Sequence, residues 1–558
     1  MMTAVPGETY DYVIVGAGSA GCVLADRLSA DGANRVLLLE FGGSDRSILI
    51  QMPAALAYPM NTKRWNWGYE TEPEPHLAGR RLNCPRGKGL GGSSSINGLV
   101  YVRGNPLDFE RWREEEGARG WGYADVLPYF KRAETRAEGG NEYRGSDGPL
   151  STTYGTLRNP LYQAWLDAAQ QAGYSLTEDY NGFRQEGFGR MDMTVRKGTR
   201  CSAAKAYLYP ARKRSNLRVI QHALVTRVLF EGKRAVGVEF ERGGRVHRVR
   251  AAREVILSGG PINSVQLLKL SGIGPAQELK DFGLPVLADR PGVGANLQDH
   301  LEFYFQMACT KPVTLYRQAN LLGKALAGAQ WLFLRSGIGA TSHFESCGFI
   351  RSRAGIKYPD IQYHFFPMAI NYDGSSLATE HGFQAHVGPM RSKSRGTVML
   401  RSANPRDKPK IRFNYMSHPD DWTEMRACVR LTREIFQQPA FAAWRGRQIQ
   451  PGVDCVSDEA IDAFIADHVE SALHPSCTCR MGVASDPMAV VDPELRVIGV
   501  EGLRVIDSSV MPSITTGNLN APTIMIGEKG ADMVLGRPPL APSNAPFYVA
   551  PDWEVSQR

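Results

Sequence analysis

Residues 16–21 read Gly-Ala-Gly-Ser-Ala-Gly, a spacing that suits a bound pyrophosphate. Gly16 permits a tight turn, Gly18 lets the backbone approach the phosphates, and Gly21 lets a helix pack closely on a strand. Ser19 sits inside the loop and is counted with them as a cofactor contact. The helix that follows points unpaired N–H groups and the positive end of its dipole at the same place. Glu40, further along, is positioned to accept hydrogen bonds from a ribose, and an acid there disfavours a 2′-phosphate. These residues predict a dinucleotide site for FAD or NAD rather than NADP.

Two other segments carry chemistry. Residues 86–97 (RGKGLGGSSSIN) form a second glycine-rich stretch. Its paired glycines would let the backbone lie against a flat ring or a pyrophosphate, and nicotinamide enzymes have no need of it. His474 stands in a loop rich in Pro, Cys and Gly, one of 11 histidines in the chain. Histidine is the side chain best suited to take up a proton near neutral pH. His474, Cys477 and Cys479 have the residue types of zinc ligands. No second ligand pair accompanies them, and a metal there would block a base, so no metal is assigned.

The elements needed to position these groups are legible. A strand over 10–15, a helix over 20–29 and a strand over 35–40 make a β-α-β unit around the first glycine loop. Residues 53–85 read as long irregular loop. Helices are expected over 125–134, 160–172, 264–271, 423–437 and 458–468, and strands over 217–221, 225–230, 235–240 and 254–258. Strands over 361–366 and 397–402 suggest a second, mixed or antiparallel sheet. A strand over 502–510 and a helix over 523–535 close the pattern. The fold class is α/β, α+β overall: a discontinuous Rossmann-like nucleotide domain (1–301 and 471–536), an inserted substrate domain (302–470) and a peripheral tail (537–558).

Composition sets the limits. The chain has 558 residues, is 43% hydrophobic and 22% charged, and carries 58 glycines without a Gly-X-Y period; disorder and fibrous repeats are excluded. No apolar run approaches the ~18 residues of a spanning helix, and residues 1–10 lack the basic and apolar regions of a signal peptide. The nine cysteines are odd in number and scattered, as expected for reduced thiols in the cytoplasm. A net charge of +8 without a basic stripe argues against nucleic-acid binding. Weak peripheral contact with an anionic membrane face is compatible with it.

At this point the sequence resembles the glucose-methanol-choline (GMC) family of FAD oxidoreductases. The resemblance rests on residues 86–97, on 260–268 running to 271–274 (GPINSVQLL, SGIG), on 292–300 (GVGANLQDH), on 474–482 (HPSCTCRMG) and on 507–528, which contains GNLNAPTIMIGE. It covers nearly the whole chain in order. Segments such as 51–55, 69–75, 361–364, 381–389 and 413–417 are similar to the branch that oxidises choline. Val265 departs from the family's small residue or proline, with an expected effect on packing alone.

The resemblance implies FAD as cofactor, held by Gly16, Gly18, Ser19, Gly21, Glu40, Arg86, Gly91, Gly92, Ser93, Asn97, Val225, Asp507 and Asn520. Ile96 matches the position where some relatives attach FAD through a histidine, so FAD is expected to be dissociable. His474 matches the family's base, and Asn518 its partner, an amide able to donate to a developing alkoxide; exchange of that role with Asn520 stays open. Glu345 resembles a substrate-side acid for a quaternary ammonium, which aromatic faces and a carboxylate hold. His364 resembles a contact for the substrate oxygen, and Trp65 and Trp67 are candidate walls. Leu473 stands where choline-active relatives often carry an aromatic residue. The implied activity is oxidation of choline to betaine aldehyde, and onward to glycine betaine, with electrons passing to a respiratory acceptor rather than NAD. A dehydrogenase of another primary alcohol and a flavoprotein lyase are the alternatives.

Overall fold

The structure is a computed structural model that describes residues 8–370 and 380–558; the N-terminal reading above lies mostly outside them. Two seven-stranded sheets organise the chain. In the first, Val36–Glu40, Thr9–Val15 and the end of Arg245–Leu257 run parallel. Leu217–Gln221 extends this parallel core on one side and Leu503–Val505 pairs with its end. Every residue of Val36–Glu40 (VLLLE) is buried. Helices cover both faces of such a strand, so it reads as a continuous apolar run.

Arg245–Leu257 is a single strand of 13 residues with two roles. Its first half, alternating and partly exposed, forms an antiparallel ribbon with Arg234–Arg242, which pairs onward with Leu224–Glu231. Its apolar second half enters the parallel core beside Thr9–Val15. The strand expected over 254–258 is therefore the end of a longer one. The late strand expected over 502–510 stops at Val505, because Asp507 turns its carboxylate back onto the Ser509 N–H and starts a 3₁₀ turn, Ser508–Val510.

The second sheet is antiparallel, in the order Arg445–Gln450, Leu301–Cys309, Gly382–Pro389, Ile361–Phe366, Ser346–Ile350 and Gly187–Arg190, with the short Glu470–Ser471 also paired to the start of Leu301–Cys309. Only Ile361–Phe366 among its strands is expected from the sequence; Leu301–Cys309, Ser346–Ile350, Gly382–Pro389, Arg445–Gln450, Gly187–Arg190 and Glu470–Ser471 are not. Ser346–Ile350 and Gly382–Pro389 are buried at every position, and Leu301–Cys309 at all but its last. They show none of the alternation that marks a half-exposed strand. Gly187–Arg190 belongs to this sheet although it lies within 1–301. Thr397–Met399 pairs instead with Lys410–Arg412 in a separate ribbon.

The last helix, Asn520–Val534, packs on the first, Ser19–Leu28. Buried Glu528 accepts from Arg27, Arg132 and Tyr207 at 2.8–2.9 Å. The two ends of the sequence thus meet beside the glycine loop. The tail is more than peripheral. Tyr143 Oη donates to Pro546 O at 2.9 Å, Arg351 Nη1 to Ser556 O at 2.7 Å, and Ala550 is buried.

Candidate active site

One long cavity runs from the first sheet's carboxyl edge to the face of the second. Gly16, Gly18, Ser19, Glu40, Arg86, Gly92, Ser93, Asn97, Val225, Asp507 and Asn520 line one part of it. Ser19–Leu28 begins with Gly18 as its cap and Asn520–Val534 with Leu519, neither with a side chain closing its first N–H groups. Two uncapped helix starts at one cavity make a site for anionic groups. A Cβ on Gly16, at φ +101°, would stand 2.5 Å from Ser258 O, and one on Gly92 would stand 2.7 Å from Gly18 Cα. The two glycine-rich segments are therefore packed backbone to backbone.

Glu40 accepts from the Ala17 N–H at 2.9 Å and the Gly42 N–H at 2.7 Å. Burial raises its pKa. Asp507 takes the Gly260 N–H at 2.9 Å and the Ser264 hydroxyl at 2.7 Å. Ser19 Oγ donates to Asn520 Oδ1 at 2.8 Å. Gly91 alone of the expected cofactor residues in the second segment stands behind the lining. At φ +85° it sends its N–H to Ala17 O at 2.7 Å, which fastens the second glycine segment to the first. This lining fits a dinucleotide: uncapped helix starts for phosphates, a buried acid for a ribose and glycine backbone for a ring. Ile96 lines the cavity with a side chain that forms no covalent link.

The other part of the cavity holds His474, Asn518, His364, Glu302, Phe344, Leu473, Leu56, Met60 and Val100. His474 is fixed on all sides. Its N–H donates to Asp299 Oδ1 at 2.6 Å, and Asp299 is also held by Tyr415 and Ser471. Burial pushes the Asp299 carboxyl up to about 6. The preceding residue, Leu473, sits at φ +68°, a strained conformation costing about 1–3 kcal/mol. Arg86 Nη2, donating to Leu473 O at 2.6 Å, and Ser471 Oγ, accepting the Leu473 N–H at 2.9 Å, hold it there.

The hydrogen bonds determine the tautomers. Met390 O can only accept, so His300 Nε2, 3.0 Å away, carries a proton. Burial lowers the His300 pKa to about 4; the ring is neutral and its Nδ1 accepts. The facing His474 Nδ1, at 3.0 Å, therefore donates, which leaves His474 Nε2 unprotonated and able to accept. Asn518 Nδ2 points at that nitrogen from 3.0 Å. Burial, then the neighbouring His300, His364 and Arg86, hold the His474 pKa well below 6.5. The arrangement is a neutral imidazole whose unprotonated nitrogen accepts from an amide donor, with a second imidazole behind it. His364, its pKa lowered to about 4 by burial, places Nε2 3.3 Å from Asn518 Oδ1.

Two expected substrate contacts lie elsewhere. Glu345 is absent from the cavity lining. Its carboxylate accepts from the Leu157 N–H and Thr341 Oγ1, both at 2.8 Å, and from Thr156 Oγ1 at 3.2 Å. The adjoining Phe344 faces the cavity, and neighbouring side chains on extended backbone point to opposite sides. Trp65 is drawn into a small cluster with Ile50 and Ile96, under the Arg64 guanidinium. Trp67 does line the cavity, stacked between Phe41 and Tyr69. The carboxylate in this part of the cavity is Glu302, 4% exposed, with His386 Nδ1 at 3.2 Å. It lies two residues beyond His300, outside the 292–300 motif that the sequence singles out; nothing in spacing alone distinguished it from Glu345.

Cys477 and Cys479 are buried thiols, and burial pushes Cys477 up to about 12. Cys477 Sγ donates to Ser476 Oγ at 3.2 Å. Val265 is fully buried in the helix Gly260–Leu270, a packing position.

The N-terminal GMC oxidoreductase family model matches residues 10–302, and the C-terminal one matches 392–527. The chain belongs to the GMC oxidoreductase family. It is 60% identical over 548 residues to a protein of Brucella anthropi named oxygen-dependent choline dehydrogenase, covering 98% of this chain and 100% of that one. A protein of Sinorhizobium medicae with the same name is also 60% identical over the same spans. Among solved structures, pyridoxine 4-oxidase of Mesorbium loti superposes with a TM-score of 0.86 at 32% identity, covering 95% of this chain and 99% of that one. A formate oxidase of Aspergillus oryzae RIB40, solved in a study of FAD modification, gives 0.90 at 26%, covering 96% and 99%.

Proposed function

We propose that this GMC oxidoreductase is an FAD-dependent choline dehydrogenase that oxidises choline to betaine aldehyde, and through the aldehyde hydrate to glycine betaine. The observation that carries the reading is one cavity joining the glycine cradle to an unprotonated imidazole nitrogen beside an amide donor, with a buried carboxylate and an aromatic ring beyond it. The full-length relatives named for choline agree with it. When bound, the flavin supplies a hydride acceptor.

The chain's own residues do the rest. His474 Nε2 takes the hydroxyl proton, and Asn518 Nδ2 donates to the alkoxide as negative charge develops. The incoming proton puts positive charge on a buried ring. The Nδ1 proton can then pass to His300 Nδ1, which spreads that charge over two imidazoles, with Met390 O stabilising the far N–H. At the opposite end Glu302 and Phe344 receive the trimethylammonium group, which has no hydrogen to donate. Electrons leave to an acceptor outside the chain, which we assign to the respiratory chain, with the protein in peripheral contact with the cell membrane's inner face.

One feature favours a second reading, a dehydrogenase of an uncharged primary alcohol: Leu473, Leu56, Met60 and Val100 make much of the wall aliphatic. Anaerobic mixing with choline and with its neutral isostere 3,3-dimethylbutan-1-ol, followed by flavin absorbance, separates them. Faster bleaching by choline supports the proposal. Equal or faster bleaching by the isostere replaces it with the second reading, and no bleaching by any alcohol points to a lyase.

A further inference from the structure

The helix Leu321–Leu334 (LLGKALAGAQWLFL) has Trp331 as its one buried residue. Leu321 is 89% exposed and Phe333 80% exposed, and Leu322, Leu326, Leu332 and Leu334 are exposed beside them. With 3.6 residues per turn, Leu321, Leu322, Leu326, Leu332 and Phe333 fall on an arc of about 140°, roughly opposite Trp331. The helix is thus anchored along one edge and presents an apolar face to the outside. Contiguous apolar surface on that scale marks an interaction site.

The exposed charges of the described segments that flank and underlie it are positive. Residues 303–344 contain no Asp or Glu but include Lys311, Arg317, Lys324 and Arg335. Arg335 lies over the Trp331 ring at 4.0 Å. Trp331 Nε1 donates to Gly198 O at 2.7 Å, which brings the exposed Arg196 and Lys197 alongside. Residues 46–69, which pack beneath through the turns Pro53–Ala55 and Gly337–Ala340, also lack acids and add exposed Arg46, Lys63 and Arg64. Leu56 and Met60 of that stretch line the cavity, so the apolar helix stands one packed layer outside the cavity wall.

We propose that the Leu321–Leu334 helix is the surface by which this protein docks on an anionic lipid bilayer, its leucines and Phe333 in the acyl boundary and the cations against the headgroups. A helix lying in the interface with basic residues flanking an apolar face binds this way. A second copy of the chain is a poorer occupant, because a two-fold contact sets the same cationic rim against itself. The inference rests on the proposed membrane-side electron delivery and names the surface that serves it; it does not depend on which alcohol is oxidised.

The test uses the full-length flavoprotein and extruded vesicles, either of phosphatidylcholine alone or with about a third phosphatidylglycerol. Co-sedimentation is read at low and high salt, beside choline oxidation with a soluble dye acceptor. The expected result is salt-sensitive binding to the anionic vesicles. It should fall tenfold or more in a Leu322→Gln/Leu326→Gln/Phe333→Ser variant and in an Arg317→Glu/Lys324→Glu variant, with dye-coupled turnover unchanged in both. If the apolar variant does not accumulate as a flavoprotein, the charge-reversal variant decides. No binding by the wild type, equal binding to both vesicle types, or binding retained in the folded variants overturns the proposal. So does a wild-type dimer that the apolar variant converts to monomer. Failure of choline as a substrate would leave the vesicle result standing, which keeps the two readings separable.

Discussion

His474 owes its properties to its neighbours more than to its identity as a histidine. Burial disfavours the imidazolium, so its pKa lies below 6.5, and the neutral ring persists as the pH falls through that value. The acid limb of kcat/KM should accordingly lie below pH 6.5; a limb at or above 6.5 would contradict the burial argument. His474→Ala should lower kcat by roughly 10²–10⁴, the usual contribution of a positioned proton acceptor. Its flavin content should be unchanged, because the glycine cradle lies elsewhere in the cavity. Retained activity would reassign the role.

The two glutamates make a sharper contrast. Glu302 lies on the cavity, whereas Glu345 is bonded to Thr156, Leu157 and Thr341. Glu302→Gln should weaken choline about ten- to a hundredfold in kcat/KM and leave 3,3-dimethylbutan-1-ol nearly unaffected, since a charge contact is worth about 1–3 kcal/mol. Glu345→Gln should affect both alcohols alike. Selective loss of choline with Glu345→Gln would reverse the assignment.

At the scale of elements, the cradle depends on two loops touching. Gly92 sits at φ +53° against Gly18 Cα, so Gly92→Ala must push the second loop off the first. The variant should purify with little flavin, read as the ratio of visible to ultraviolet absorbance; full flavin content would mean the loops tolerate separation. In the wild type, acid precipitation should leave the yellow colour in the supernatant, because Ile96 forms no bond to a flavin. Colour retained in the pellet would count against non-covalent binding.

Element boundaries were legible where a local rule applied. Asp458–His468 and Ile361–Phe366 lie where their patterns predict, since amphipathic spacing and β-rich composition act within a few residues. Leu301–Cys309 and Gly382–Pro389 were not legible. Strands buried on both faces have no periodicity, and what makes them strands is each other, paired from Phe303–Val387 to Ala308–Gly382.

Over the whole molecule, segments distant in sequence complete one another. Arg351 is buried with Nε on Glu186 at 2.9 Å and Nη1 on Ser556 O at 2.7 Å. A chain ending at Gly536 would leave that buried guanidinium short of a partner, at a cost of about 1–3 kcal/mol. It should show a lower Tm with kcat nearly unchanged, because the tail is remote from His474 in the bonding pattern. An unaltered Tm would mean the tail contributes nothing to the fold.

The sequence by itself determined the dinucleotide loop, the acid that ends the second strand and the second glycine-rich segment. Each is a local arrangement whose chemistry needs particular residue types at a fixed spacing. Only the tertiary structure decided which of Glu302 and Glu345 reaches the cavity, which tryptophan walls it and which nitrogen of His474 is unprotonated. Those depend on the side of an extended chain a residue faces once strands have paired. They depend also on a contact between His300 and His474, 174 residues apart in the chain, that no local pattern records.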